Sequence, residues 1–148
     1  VPPAAWMQTK LIEMAGGNPV WKGAATGKGW NRIGFEQIAS WDPDYIFLVA
    51  YHNDIDDVMK KLTTEENWQQ LRAYKDNRLL AVPQDYYSYD QPDTRWLLGL
   101  KWMAKTFYPS VFSQMDFLEE IREFYNFLYA MDRKEIKEAI ESKLQGDL

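Results

Sequence analysis

Cysteine is absent from the 148 residues, which fits a cytosolic protein and equally an exported protein that folds without disulfides. No apolar run reaches the roughly 18 residues that a membrane-spanning helix needs. The chain starts at Val1 without an initiator methionine and carries no export signal, so the sequence predicts a mature product or an excised piece. These absences leave the cellular compartment open.

Net positive charge is also missing, since 17 Lys and Arg residues stand against 22 Asp and Glu residues and the net charge is −5. This balance argues against nucleic acid as the main partner, because phosphate backbones are bound by clustered positive charge. Hydrophobic residues make up 46% of the chain, as in a folded globular protein, and the length predicts a single domain over 1–148. Seven Trp and nine Tyr exceed what a core needs, so we expect some to face a cleft or a partner.

The motifs of catalysis and metal binding are incomplete. In "GAATGKG" (23–29) the glycines are one residue too close for a phosphate loop, and Gly29 stands where Ser or Thr would hold magnesium. His52, the single histidine, has no cysteine partner and no evident nucleophile. The acidic cluster at 54–57 lacks the spacing of a calcium loop and suits a helix cap instead. We therefore predict no catalytic residues, no metal ligands and no cofactor.

Two apolar runs alternate with helical segments along the chain. "DYIFLVAY" (44–51) and "NRLLAVP" (77–83) are typical of buried parallel strands. Apolar residues recur at helical spacing before, between and after them. The sequence predicts an α/β fold, a three-layer α-β-α lobe in which helices flank a small, mainly parallel sheet.

The segment "DQPDTRWLLGLKWMAKTFYPSVF" (90–112) predicts a core helix. Asp90 is expected to accept hydrogen bonds from the free amides at the helix start, with Pro92 in the first turn. Gly99 is expected to let a neighbouring backbone come close, and Pro109 to end the helix. The predicted apolar face consists of Trp96, Leu100, Met103 and Phe107.

Aromatic and polar side chains follow both strands. His52 follows the first strand, and Tyr86, Tyr87 and Tyr89 follow the second. Open α/β sheets bind ligands at the carboxyl ends of their strands, so these residues are candidates for ligand contact.

Two further loop aromatics and one arginine complete this set of candidates. Trp21 and Trp30 lie in a glycine-rich loop and are expected either to line a pocket for a flat or chelated ligand or to pack peripherally. Arg95 follows the tyrosine loop and is expected either to pair with an anionic ligand or to form a surface salt bridge.

Several blocks, taken together, carry a resemblance to a known family. "LIEMAGGNPVW", "GWNRIGFEQIASWDPDYIFL" and "YDQPDTRWLLGLKWMAK" resemble the C-terminal lobe of ABC-transporter substrate-binding proteins, in the group that serves iron-siderophore, haem, cobalamin and some oxyanion importers. The similarity runs from about Leu11 to Tyr129. It implies that the chain is one lobe of a two-lobed protein, without the N-terminal lobe and the linking helix.

The resemblance also implies roles for individual residues. Trp30 is similar to a cleft aromatic of the family, and Glu36 to an exposed acid that docks onto the membrane permease. The loop from Tyr86 to Asp90 is similar to the segment that lines the cleft, and Arg95 to the arginine that follows it. His52 falls in another loop that faces the cleft.

The expected function is capture of an iron(III) chelate outside the cytoplasm and its delivery to an ABC permease. Cobalamin, haem, or molybdate or tungstate are alternative ligands. The resemblance implies a monomer in the periplasm or on the extracellular face, with a lipid anchor as one option. Two other classes stay open: an enzyme that pairs His52 with Asp54 or Asp85, and a protein-interaction module built on the aromatics.

Overall fold

The computed structural model describes residues 1–24 and 27–148, so the 23–29 motif lies partly outside it. Among these residues, none of the helices has both the length and the apolar character that crossing a bilayer requires. The helices and strands in chain order are α1 (Met7–Met14), α2 (Phe35–Trp41), β1 (Ile46–Leu48), α3 (Ile55–Thr63), α4 (Glu66–Gln70), α5 (Arg72–Lys75), β2 (Leu79–Ala81), α6 (Trp96–Phe107), α7 (Phe117–Tyr129) and α8 (Arg133–Ala139), followed by a 3₁₀ turn (Glu141–Lys143).

The two predicted strands pair in parallel and confirm an α/β lobe with a small parallel sheet. Phe47 lies opposite Leu80 in the register, and Leu48 lies opposite Ala81. Successive side chains of a strand point to opposite faces of the sheet. Each strand therefore supplies apolar side chains to both sides.

Helices cover both faces of this sheet. Phe47 and Leu80 pack against the main core, and the Phe47 ring lies 5.3 Å from Trp102 of α6. Leu48 and Ala81 pack on the other side with Ile55 of α3. The packing matches the predicted three layers, with α1 and α6 on one face and α3 on the other.

The two edges of the sheet differ. The outer edge of β2 is covered by the C-terminal segment, since the Ala81 amide donates to the Asp147 carboxylate at 2.7 Å and the Asp147 amide donates to the Ala81 carbonyl at 3.0 Å. The outer edge of β1 has no strand partner among the described residues. That edge borders the larger of the two cavities described below.

The start of α6 corrects one prediction. The helix begins at Trp96, and it is Asp93 rather than Asp90 that accepts a hydrogen bond there, from the Arg95 amide at 2.7 Å. Asp90 lies too far upstream and accepts from Tyr51 instead. The expectation for Gly99 is correct, because a Cβ at that position would lie 2.1 Å from the Tyr89 carbonyl oxygen.

The acidic cluster at 54–57 is a helix cap, as predicted. The Asp54 side chain accepts from the Asp56 and Asp57 amides at 3.0 and 3.1 Å and so caps α3. Asp54 also accepts from the Gln145 side chain at 2.6 Å, and Asp56 accepts from the Gly146 amide at 3.0 Å. These contacts tie the end of the chain to the region just after β1.

Candidate functional site

A polar pocket of about 380 Å³ lies at the carboxyl ends of β1 and β2. Because the strands are parallel, the loops that follow them meet at one edge of the sheet. The residues around this pocket are Ala50, Tyr51, His52, Asn53, Asp54, Gln84, Tyr86, Tyr87, Ser88, Gln91 and Gln145. We refer to this site as the polar pocket.

Three of the sequence-predicted residues meet there: His52, Tyr86 and Tyr87. Both tyrosines are more than half exposed, at 55% and 56%. The Tyr86 hydroxyl donates to the Ala139 carbonyl at 2.9 Å, at the end of α8. The guanidinium carbon of Arg95 lies 5.3 Å from the centre of the Tyr87 ring. The two rings are thus held by different helices.

The structure corrects the prediction for Tyr89, which is fully buried. Its hydroxyl donates to the Asp85 carboxylate at 3.2 Å, and its carbonyl faces Gly99 of α6. The backbone turns between positions 87 and 89, so Tyr89 belongs to the core while its neighbours remain at the surface. It cannot contact a ligand in the polar pocket.

Asp90 is also buried, and its partner Tyr51 is a residue that sequence reasoning missed. The Tyr51 hydroxyl donates to Asp90 Oδ2 at 2.5 Å. Burial raises the pKa of Asp90 and also that of Tyr51. Within the described residues, Asp90 Oδ1 and Ser88 Oγ have no hydrogen-bond partner. The one sequence signal for Tyr51 was its position at the end of "DYIFLVAY", beside His52.

Asp90 should make the protein less stable as the pH rises. Its pKa is raised in the folded state, so the folded protein holds the proton over a pH range in which the unfolded chain, with an Asp pKa of about 3.9, has lost it. This contribution is complete below the unfolded pKa and is lost as pH rises through the folded pKa. We expect Asp90→Asn to remove this loss.

Urea unfolding of the wild type and of Asp90→Asn between about pH 4 and pH 8 measures this effect. As pH rises, the free energy of unfolding of Asp90→Asn should increase relative to that of the wild type. Comparing the two proteins cancels the titration of groups such as Glu119, whose pKa is lowered by Arg133. A difference that does not change with pH would contradict the prediction.

Trp30 lies beside the polar pocket rather than in it. Its side chain is 47% exposed, and its ring packs edge-to-face on Trp6 at 6.2 Å and on Tyr51 at 6.0 Å. Tyr51 borders the polar pocket and therefore stands between that pocket and Trp30. Trp21 donates its indole N–H to the Pro2 carbonyl at 2.9 Å, which agrees with a packing role.

The larger cavity, of about 610 Å³, is mainly apolar and follows β1 from Tyr45 to Val49. Trp21, Trp30 and Trp68 are among the residues around it. It runs along the free edge of β1 and extends to Val82 and Asp90, which follow β2. We assign the candidate ligand site to the smaller, polar pocket, because His52, Tyr86 and Tyr87 of the sequence-predicted contact residues meet there.

Of the two roles expected for Arg95, pairing with an anionic ligand and a salt bridge within the protein, the structure shows the salt bridge. Its guanidinium lies 3.0 Å from Asp85 and 3.1 Å from Asp93, and its side chain is only 16% exposed. Two carboxylates already neutralise this cation, so its expected pairing with an anionic ligand is corrected to an internal ion pair. Its contact with the polar pocket runs through the Tyr87 ring.

The remaining candidates lie apart from these contacts. Glu36 is exposed in the first turn of α2 and forms no ion pair within the described part of the chain. Residues 1–24 and 27–148 contain no cluster of His, Asp and Glu able to hold a metal ion. Asp54 caps α3 and Asp85 is bound to Arg95, so both proposed partners of His52 in an enzyme are already engaged.

An α/β lobe with a polar pocket at the carboxyl ends of its strands is the architecture of a small-molecule binding domain. The sequence pattern of one family, described as "Periplasmic binding protein", matches residues 5–86, which is more than half of the chain. The chain belongs to this periplasmic binding protein family.

Individual relatives agree with this assignment. The molybdate-binding protein MolA of Haemophilus influenzae is 27% identical over 125 residues, which cover 84% of this chain and 34% of MolA. A periplasmic solute binding protein from Veillonella parvula is 27% identical and superposes with a TM-score of 0.72, over 95% of this chain and 43% of that protein. MolA bound to molybdate is similar in fold, with a TM-score of 0.70 at 24% identity over 89% of this chain and 39% of MolA. The chain thus spans less than half the length of these relatives.

Proposed function

We propose that this chain is the C-terminal lobe of the solute-binding component of an ABC importer, which captures a small solute outside the cytoplasm and passes it to a membrane permease. The polar pocket at the carboxyl ends of β1 and β2 carries this proposal. Family membership and the likeness to solute-binding proteins support it. The protein would act as a monomer, in a periplasm or on an outer surface, either free or lipid-anchored.

A metal oxyanion of the molybdate type is the first candidate ligand that we propose. The pocket is small, and its His52, Asn53 and Gln91 side chains can donate hydrogen bonds. A tetrahedral oxyanion presents only acceptor oxygens, so it needs such donors. The Asp54 carboxylate, which also borders the pocket, is engaged as the cap of α3. The named relative MolA binds molybdate, which supports the same class here.

An iron(III) chelate is the second candidate, and the exposed aromatics favour it. Tyr86, Tyr87 and Trp30 present apolar ring faces that would suit a bulky chelate. A chelate supplies the metal ligands itself, so the protein would need none of its own. Haem and cobalamin are bulky ligands built on a macrocycle, and they belong to the same test.

Tryptophan fluorescence of the full-length native protein distinguishes these ligands. Trp30 lies 6.0 Å from Tyr51 on the pocket wall, so binding should change its emission. We expect saturable binding of sodium molybdate, weakened about tenfold in His52→Ala through loss of one hydrogen bond to a charged group. Trp30→Phe should lose most of the signal while calorimetry still detects binding.

The same titration should be carried out with a panel of other ligands, namely tungstate, a ferric catecholate siderophore, haem and cobalamin. Saturable binding of the siderophore with no response to molybdate would make the iron(III) chelate, and not molybdate, the proposed ligand. Binding of none of these ligands by the folded protein would overturn the proposed function.

Glu36 supplies the test of delivery, because an exposed acid outside the polar pocket suits docking to a basic permease surface. Glu36→Arg should leave molybdate affinity within about twofold and reduce uptake by cells about tenfold or more, through charge repulsion at the permease. Normal uptake in this variant would contradict the docking role.

A further inference from the structure

Asp85 organises the loop that carries the two exposed tyrosines. Its side chain is fully buried. Oδ1 accepts from the Tyr86 amide at 2.5 Å and from the Tyr87 amide at 3.3 Å, which fixes the backbone of both residues. The same oxygen accepts from Arg95 Nε at 3.0 Å. One carboxylate oxygen thus joins the loop to the start of α6.

The second carboxylate oxygen of Asp85 extends these contacts to α7. Oδ2 accepts from the hydroxyls of Tyr89 and Tyr125. Arg95 Nε also donates to the Tyr125 hydroxyl at 3.0 Å. Side chains from the loop, α6 and α7 therefore share one charge-assisted network, in which every bond involves either the carboxylate or the guanidinium.

The two tyrosines of the loop differ in how their rings are held. Tyr86 is anchored by its own hydroxyl on the Ala139 carbonyl. The Tyr87 hydroxyl has no hydrogen bond within the described residues, and 56% of the residue is exposed. The Arg95 guanidinium lies 5.3 Å from the Tyr87 ring centre and is held there by its two carboxylates. Arg95 thus places its guanidinium against a ring whose own hydroxyl does not anchor it.

We propose that Arg95 is a positioning residue, which with Asp85 fixes the Tyr87 ring at the rim of the polar pocket and so raises ligand affinity without touching the ligand. The effect on affinity rests on the proposed function, whereas the effect on the ring does not. A ring that is already ordered loses less conformational freedom when a ligand binds. A cation held against its face supplies that order.

Nuclear magnetic resonance of the ligand-free protein labelled with fluorotyrosine tests the positioning directly. The Tyr87 signal is assigned by its loss in Tyr87→Leu. In the wild type we expect a dispersed signal, and in Arg95→Met a signal shifted toward that of free tyrosine. Arg95→Lys keeps a cation but loses the forked geometry, so it should give an intermediate shift. An unchanged Tyr87 signal in Arg95→Met would overturn the proposal.

Calorimetric titration with sodium molybdate then measures the coupling in the full-length native protein. We expect Arg95→Met and Tyr87→Leu each to weaken binding roughly fivefold, and the double variant to lose no more than either alone. Losses that multiply in the double variant would overturn the coupling. Arg72→Met is the matched control, since Arg72 also pairs with two carboxylates, Asp42 and Asp44, outside the polar pocket, and its affinity should not change.

Circular dichroism checks that each variant is folded, and Tyr125→Phe offers a milder disturbance if Arg95→Met does not fold. It removes one hydroxyl of the network and should shift the Tyr87 signal in the same direction. Failure of the wild type to bind any ligand of the panel would reject the proposed function alone. The fluorotyrosine signal would still decide whether Arg95 positions Tyr87.

Discussion

Replacing Gly99 by alanine should lower the free energy of unfolding by about 3 kcal/mol, although alanine is the better helix former. The added Cβ would lie 2.1 Å from the Tyr89 carbonyl oxygen and 2.9 Å from its carbonyl carbon. These are backbone atoms, so no side-chain rotation can relieve the overlap. Helix α6 would have to move away from the tyrosine loop that borders the polar pocket. The gain in helix propensity is only about 1 kcal/mol and does not offset this overlap.

Urea unfolding followed by circular dichroism measures this loss, and the melting temperature should fall by about 10 °C. Gly29→Ala is the matched control. A Cβ there would meet no atom within 4 Å, so stability should change by less than about 0.5 kcal/mol. Equal stability of Gly99→Ala and Gly29→Ala would contradict the close contact between α6 and the Tyr89 backbone.

Replacing Asp85 by alanine should cost about 4 kcal/mol, because the substitution removes the carboxylate from a buried network. Arg95 would keep only one carboxylate partner, Asp93, and the Tyr89 hydroxyl would be buried without its hydrogen-bond partner. The Tyr86 amide would also lose its acceptor. The cost arises mainly from the polar groups left unpaired, since a buried group without a partner is not compensated by water.

Asp93→Ala is the control for this prediction, since it removes the other carboxylate bound to Arg95. The Asp93 side chain is 35% exposed, so its ion pair is screened by solvent and its loss should cost about 1 kcal/mol. Urea unfolding of both variants at one pH gives the comparison. If both variants lose the same free energy of unfolding, then burial does not make the Asp85 carboxylate more important for stability than Asp93.

Much of the fold could be read from patterns that span a few residues. The two apolar runs predicted β1 and β2, the acidic cluster predicted the cap of α3, and the glycine within the "RWLLGLKWMAK" helix predicted a close backbone contact. Helix periods, caps and strand runs are local, because the groups that interact lie within about four positions of one another. The resemblance to solute-binding proteins rested on the same blocks and is confirmed by family membership.

The details of the candidate site were not local. Tyr86, Tyr87 and Tyr89 look alike in the sequence, yet the last is buried while the first two remain exposed. Asp90 was expected to cap the following helix, and Arg95 either to pair with an anionic ligand or to form a surface salt bridge, whereas both are held by internal partners. Each of these assignments depends on a partner that no short pattern identifies.

The sequence by itself therefore determined the α/β class, the family and the loops that meet at the carboxyl ends of the strands. The tertiary structure alone decided which side chains in those loops remain available to a ligand. Tyr51 reaches Asp90 across 39 positions of the chain, and Tyr125 reaches Asp85 across 40. The energy of a buried polar group depends on such distant partners, because only they replace the hydrogen bonds that the group loses when it leaves water.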